Sequence, residues 1–326
     1  MKPRKPNSDV LIIGAGMAGL TAAAELQCAG CSVRVLDKGR GVGGPMASRR
    51  MSEASFDHGA QFITTRDPRF VSALEGWRQT GVVEAWCRSF TEHADGHPRW
   101  RGKPCMNSLP KHLAHDLDVL LEQQVVALHC AHDQWRVETN MGEVYRANAV
   151  VLTPPVPQSL ALLEASKFSL SPEMRSRLAA IEYERCLAVM AMLDRPSRLL
   201  PPGGLAPAEN PIAWIADNQM KGISAVPAVT IHATHTFSLE HWDGDRQASG
   251  RLLLDAAATW LGAGTQTFQV HGWRYSKAMR VHEQARVIAS QSPMLVLASD
   301  AFAGPKAEGA ALSGWAATEA ILKSTS

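Results

Sequence analysis

Nowhere does this 326-residue sequence hold about eighteen uninterrupted apolar residues, so no membrane-spanning helix is expected. It has no basic tract and no acidic tail: 33 basic side chains stand against 31 acidic ones, a net charge of +2, which argues against nucleic acid as a partner. Internal repeats and low-complexity tracts are lacking as well. Cysteine is confined to Cys28, Cys31, Cys87, Cys105, Cys130 and Cys186, with none after the last of these. The Cys28-x-x-Cys31 spacing has no second such pair and no histidine pair nearby, so no metal site is expected. Unpaired thiols in a reducing cytoplasm are the simpler reading. Tyrosine occurs only at Tyr145, Tyr183 and Tyr275.

What is present begins with VLIIGAGMAGL. Residues 10–13 form a continuous branched apolar run, as expected of a strand covered on both faces, and Gly14-x-Gly16-x-x-Gly19 follows directly. The first glycine permits a tight turn, the second lets a pyrophosphate approach the backbone, and the third lets the next helix pack on the strand. That helix, residues 17–28, is rich in Ala and Leu, and at its start the amides of Met17 and Ala18 point at the phosphates. A second strand, residues 32–36, ends at Asp37, whose carboxylate can accept both ribose hydroxyls of an adenosine; Lys38 follows it. Asp37 lies 23 positions after Gly14, close to the ~20 of a dinucleotide fingerprint. The basic start MKPRKPNSD reads as a fraying tail. Joined to residues 10–26 it has the outline of a secretory leader, against which stand the spaced glycines and the strand ending at Asp37.

Almost three hundred residues later, LVLASDAFAGPKAEGAALSG supplies what looks like the other half of the site. Residues 294–298 read as a buried strand ending at Ser299-Asp300, and Glu308-Gly309-Ala310 opens a helix running to about residue 323. Asp300 suits a ribityl hydroxyl or a pyrophosphate-bound water. Amides at Gly309 and Ala310 can face the N1/C2=O edge of a flavin, where a helix N-terminus favours negative charge by ~0.3–2 kcal/mol. One fingerprint leaves the cofactor open; a Gly/Asp segment returning at the far end points to FAD. With no cysteine after Cys186, a flavin tethered at a C-terminal cysteine is excluded, and non-covalent FAD is expected.

Between these halves the texture varies. Residues 39–50, GRGVGGPMASRR, read as a loop that brings Gly44 close to a diphosphate, with Arg49 or Arg50 supplying charge. Residues 67–80 read as an amphipathic helix with Phe70, Leu74 and Trp77 on one face. Alternating runs at 124–130 and 134–139 read as strands, a turn at 140–142 leads to a third near Val144, and a further strand spans 149–153. Later come a helix at 173–181, strands at 186–193, 212–216, 228–233 and 268–275, a Pro/Gly-rich loop at 197–211 and a helix at 245–261. The expected fold class is α/β, a Rossmann-type FAD-binding domain with a second α+β substrate domain on a mostly antiparallel sheet. The expected boundaries are 1–65, 101–157 and 276–326 for the first, and 66–100 and 158–275 for the second.

Taken in order, the fingerprint with Asp37, GRGVGG with MASRR, DHGAQFIT, the strand end LTPP, IHAT, the pair Trp273-Arg274 and the closing SD and EGA elements resemble the flavin amine-oxidase superfamily, and its renalase-like branch most closely. The resemblance covers nearly the whole chain. It implies a two-domain flavoprotein with the isoalloxazine ring at the domain interface under a sheet of the substrate domain. It adds Gln61 at the flavin edge, and Val126 and Glu308 to the cofactor residues. One departure is Pro45, where the family carries arginine after two glycines.

The resemblance further implies oxidation of isomeric 2- and 6-dihydro-NAD(P) to NAD(P)+, with O2 as acceptor and hydrogen peroxide as product. A dihydropyridine gains aromaticity on losing hydride, so the protein mainly orients its reactants. Candidates for the substrate slot are Trp273, His232, Trp214 and Asn218: an indole can border a nicotinamide, and His232 can hydrogen-bond the carboxamide. Trp273 and His232 also fit a plain core. Oxidation of a small amine is the main alternative, weakened by the scarcity of tyrosines to pair in the slot. A non-catalytic FAD-binding protein is a second alternative; a dehydrogenase using only the first fingerprint leaves SD and EGA unexplained.

Overall fold

A computed structural model of the protein describes residues 7–90, 96–207 and 209–325. The chain divides into two compact units, the first holding the chain through Gly44, Pro110–Glu182 and the chain from Ala278, the second Pro45–Leu109 and Tyr183–Lys277.

In the first unit, branched apolar runs form the middle of an eight-stranded sheet. Six of its strands run in the order Val287–Gln291, Met294–Leu297, Val144–Leu152, Asn7–Ile13, Val33–Leu36 and Asp118–Leu120, and off this path Gln134–Thr139 pairs with Val144–Leu152 and with Val125–Ala131. The last five of the six are mutually parallel, as expected of strands joined by crossovers. The helix Met17–Cys28 makes the first crossover and packs with the helix Ala307–Thr325; Ala22 and Leu26 join Val10, Ile12, Val35, Val296, Ala317 and Ile321 in one core.

Two sequence expectations shift here. Asn7–Asp9 are not part of a frayed tail: they begin the first strand, and the Asp9 carboxylate accepts from the Ser32 amide at 2.7 Å and its hydroxyl at 2.6 Å. Residues 1–6 lie outside the described residues. The strands expected near Val144 and at 149–153 are one strand, Val144–Leu152, antiparallel to Gln134–Thr139 over its first half and parallel to Asn7–Ile13. Its sequence changes from alternating to continuously apolar because the strand passes from a sheet exposed on one face to one covered on both.

The second unit is built on a five-stranded sheet ordered Gly204–Leu205, Ile212–Asp217, Ala228–Ala233, Tyr183–Leu193, Thr265–Ala278, with the first four mutually antiparallel. The period of two sorts its side chains. Val189, Ala191, Ile215, Val229 and Ile231 face the helix Arg246–Leu261, where Leu253, Leu254, Ala257 and Leu261 meet them. On the other face Met190 and Ala228 are covered by Met51, Ala54 and Phe56. Those three belong to the hairpin Ser48–Met51/Ala54–Asp57, so residues 48–50, expected in a loop, are strand, and both Arg49 and Arg50 are exposed. This burial places residues 45–65 with the second unit, where the sequence boundaries put them in the first. Residues 158–182 go the opposite way, because Ser166 Oγ accepts from the Leu128 amide at 2.8 Å and Phe168 packs on Trp135.

Candidate active site

In the first unit, the turn after Asn7–Ile13 has the shape a dinucleotide requires. Gly14 sits at φ +106°, and a Cβ there would lie 2.4 Å from Thr153 Oγ1. Gly16 differs: its Cβ would meet nothing within 4 Å, so the glycine faces open space above the turn. No side chain caps the helix that starts at Met17, which leaves its first amides available to an anion. Gly43 donates its amide to Ala15 O at 2.8 Å, and Gly44, at φ +52°, lies against Gly16. Asp37 accepts from the amides of Ala15 and Gly39, each at 2.6 Å. A carboxylate has about four acceptor sites, so two remain for ribose hydroxyls.

Asp300 follows the strand Met294–Leu297, and burial pushes its carboxyl up to about 6 although an edge of the residue stays accessible. A Cβ on Gly309 would lie 2.2 Å from Gly304 O, so only glycine fits there. The helix starts at Ala307 and Ala310 gives its amide to Lys306 O at 3.0 Å, so the expected donor at Ala310 is spent inside the helix. Glu308 is half-buried at this helix start. Lys38 is exposed with its ammonium on Gln158 Oε1 at 2.9 Å, and Val126 is exposed on the strand Val125–Ala131. An open glycine turn, an uncapped helix start, a half-used Asp37 and a desolvated Asp300 fit the diphosphate, ribose and ribityl groups of FAD.

In the second unit the substrate candidates separate into two groups. His58 O accepts from Trp273 Nε1 at 2.9 Å and lies 3.0 Å from His232 Nε2, so a backbone carbonyl fixes both side chains. This correction matters for His232, since one ring nitrogen expected on a substrate is committed to the main chain. The rings of His58, His271 and Trp273 pack at 4.4–5.2 Å between centroids. Burial is the first cause holding all three histidines below the ordinary range: His58 at about 3, with His271 and Arg49 adding to the effect, His232 at about 4, and His271 lowered with help from Arg49 and Arg246. At neutral pH the wall is uncharged. Arg49, expected beside a flavin, has its Nη1 3.3 Å from Gln269 Oε1.

Trp214 is the cross-strand neighbour of His232 but packs into a separate aromatic group with Phe62, Trp86 and Phe90. Asn218 and Gln61 are structural joints, which corrects their expected exposure to ligands. Asn218 is fully buried, its Oδ1 accepting from the Asp57 amide at 3.3 Å and its Nδ2 donating to Thr230 Oγ1 at 2.9 Å. Gln61 Nε2 donates to Asp57 O at 2.7 Å and Gly59 O at 3.0 Å, closing the 57–61 turn. Beneath that turn lies a pair the sequence reading passed over: Lys221 Nζ, 3.0 Å from Asp57 Oδ2 and 2.6 Å from Gln61 O, with both charged side chains at 0% exposure. A lone lysine in a turn carries no signal of burial. Tyr183 and Tyr275 meet edge to face at 5.5 Å, a contact that depends on which strands neighbour each other.

Comparison with known proteins agrees with this geometry. Residues 12–75 match a family model described as an NAD(P)-binding Rossmann-like domain. Residues 84–322, well over half of the chain, match that of the flavin containing amine oxidoreductases. Renalase of Mus musculus is 24% identical over 320 residues, spanning 90% of this chain and 93% of that protein. Among solved structures, a putrescine oxidase variant redesigned in cofactor binding is similar at TM-score 0.73 and 12% identity, covering 97% of this chain and 99% of that one. Wild-type putrescine oxidase bound to putrescine is similar at TM-score 0.72 and 13% identity, with the same coverage. At these identities the likeness shows the fold. The chain belongs to the flavin containing amine oxidoreductase family, as a renalase-like, FAD-binding member.

Proposed function

We propose that the protein oxidises isomeric 2- and 6-dihydro-NAD(P) to NAD(P)+, with O2 as the final acceptor and hydrogen peroxide as product. The observation that carries this reading is the uncharged wall of His58, His232, His271 and Trp273. A substrate that becomes aromatic on losing hydride needs no base, only a surface that holds it flat. Trp273, half-buried and anchored by Nε1 to His58 O, offers an indole in a set orientation. Gly14, Gly16, Met17, Ala18, Asp37, Gly44, Asp300 and Gly309 are the residues assigned to FAD. When bound, FAD supplies the hydride acceptor and passes the electrons to O2.

A second reading has one observation in its favour. Tyr183 and Tyr275 form a pair, as in a slot that receives a small amine, although their planes meet at 79° and do not make parallel walls. Anaerobic stopped-flow spectroscopy of the FAD-loaded enzyme separates the two. Bleaching of the flavin by 2- and 6-dihydro-NAD(P), with no response to ordinary 4-dihydro forms or to an amine panel, is the expected result. Bleaching by amines alone would move the chain to the second reading, and no bleaching by either would leave a flavoprotein without this chemistry.

A further inference from the structure

The second unit gathers positive charge that the reading above does not use. The guanidinium carbons of Arg185, Arg246 and Arg274 lie 5.0, 4.8 and 5.7 Å from the centre of one indole, that of Trp242. They come from three elements: the strand Tyr183–Leu193, the first position of the helix Arg246–Leu261 and the strand Thr265–Ala278. Trp242 is buried, Arg185 and Arg246 are half-buried, and Arg274 is exposed. Among the described residues no carboxylate forms an ion pair with any of the three. The acids beside them in sequence are engaged elsewhere, Glu184 with Lys277 at 3.2 Å and Asp245 as the cap that accepts from the Gln247 amide at 2.7 Å.

This cluster and the histidine wall share the edge strand Thr265–Ala278 and lie on its opposite sides, since successive side chains of a strand alternate between faces. A Cβ on Gly272 would lie 3.1 Å from Trp242 and 3.2 Å from Arg246 Nη2, and Gly272 stands between His271 and Trp273. Three like charges around one ring repel each other, and the indole face offsets only part of that. An anion neutralises them all, and planar guanidinium forks match phosphate oxygens. A small amine, cationic at neutral pH, finds the opposite field.

We infer that Arg185, Arg246 and Arg274, arrayed on Trp242 beside the His271–Trp273 segment, form a subsite for a phosphate or diphosphate group of a nucleotide substrate. This rests on the dihydronicotinamide reading. The phosphate has two sources, the diphosphate bridge common to NAD and NADP forms and the 2′-phosphate of NADP forms alone.

The test uses FAD-loaded wild-type enzyme and the variants Arg185→Gln, Arg246→Gln and Arg274→Gln, each checked for its visible flavin spectrum. Isothermal titration with inorganic pyrophosphate reads the subsite without turnover, and steady-state kinetics follow with 2-dihydro-NAD and 2-dihydro-NADP. Each variant is expected to weaken pyrophosphate binding about ten-fold and to raise KM by a similar factor, more than it changes kcat. A rise with both dinucleotides assigns the diphosphate; a rise confined to the NADP form assigns the 2′-phosphate. Should a half-buried variant fail to fold, Arg274→Glu at the exposed position carries the test. Pyrophosphate binding that is absent from the wild type, or equal in wild type and variants, overturns the subsite. Arginine-dependent pyrophosphate binding without flavin reduction by dihydronicotinamides keeps the subsite and sinks the reaction. Normal turnover with unaltered KM and pyrophosphate binding does the reverse.

Discussion

Replacing Lys221 by Met tests the arrangement beneath the 57–61 turn. In the folded protein the ammonium sits 3.0 Å from Asp57 Oδ2 and donates to Gln61 O at 2.6 Å, with neither charged group open to water. Burial lowers the lysine's pKa, and Asp57 works against that shift. Met fills similar space, so the cavity contribution is small and the electrostatic loss dominates. Asp57 keeps donors from Ser48 Oγ at 2.6 Å and the Met106 amide at 3.0 Å, but its charge is left uncompensated and Gln61 O loses its donor. Breaking a buried pair from one side costs about 3–5 kcal/mol. With a urea m-value of about 1–3 kcal/mol/M, the midpoint should fall by about 1 M or more. The double variant Lys221→Met/Asp57→Leu removes both charges, and strands the Ser48 and Met106 donors as well as Gln61 O, at about 1–3 kcal/mol each. Its loss should therefore fall well short of the sum of the Lys221→Met and Asp57→Leu losses, because each single change leaves one buried charge uncompensated. Urea unfolding of both single variants and the double variant, followed by tryptophan fluorescence, decides the matter: a Lys221→Met variant within about 1 kcal/mol of wild type, or single losses that simply add in the double variant, would refute the reasoning.

Gly14→Ala and Gly16→Ala should separate fold from cofactor. The first meets Thr153 Oγ1 at a positive φ and should lower the melting temperature of the flavin-free protein, whereas the second meets no protein atom and should leave that temperature nearly unchanged while FAD is lost on ultrafiltration; equal melting losses of the flavin-free variants would contradict this. Acid should weaken the second unit through His58, whose folded value of about 3 lies below the 6.5 of an unfolded chain. Between those values the unfolded chain binds more protons, so stability is full above about pH 6.5 and falls as pH drops, by at most about 1.4 kcal/mol per pH unit for this residue. Denaturation midpoints at pH 7, 6 and 5 should show that slope, reduced in His58→Gln; an unchanged slope in the variant would count against it. Trp273→Phe keeps a ring but drops the bond to His58 O, and should lower kcat/KM about ten-fold while FAD absorbance is retained, where an unaltered value would remove Trp273 from the wall.

Much of this was legible before the fold was known, and for reasons that can be named. The helix Met17–Cys28, the strand Ala228–Ala233 and the buried face Phe70, Leu74 and Trp77 follow from local periodicity. Asp37 and Asp300 stand out as cofactor candidates because each lies at the end of an apolar strand, Asp37 also at a set distance from the glycines of the first turn. What escaped depends on contacts far apart in sequence. Lys221 is buried only because Asp57, 164 residues earlier, lies beside it. Arg185, Arg246 and Arg274 converge on Trp242 through the order of strands in the sheet. Asn218 looked like a ligand contact because a polar residue after a strand end has the same local signature whether it meets solvent, substrate or another backbone segment.

The shared strand Val144–Leu152 has a bearing on how this chain tolerates change. Its first half is measured off against the strand Gln134–Thr139, and just past its other end Thr153 Oγ1 donates to Ile13 O at 2.8 Å, beside the nucleotide turn. Lengthening the hairpin tip at 140–142 leaves that measurement alone. An insertion between Ala147 and Ala149 would pull Thr153 out of step with Gly14 and turn every following side chain to the wrong side of the sheet. Natural variants of this protein should accordingly differ in length at that tip and almost never within the strand.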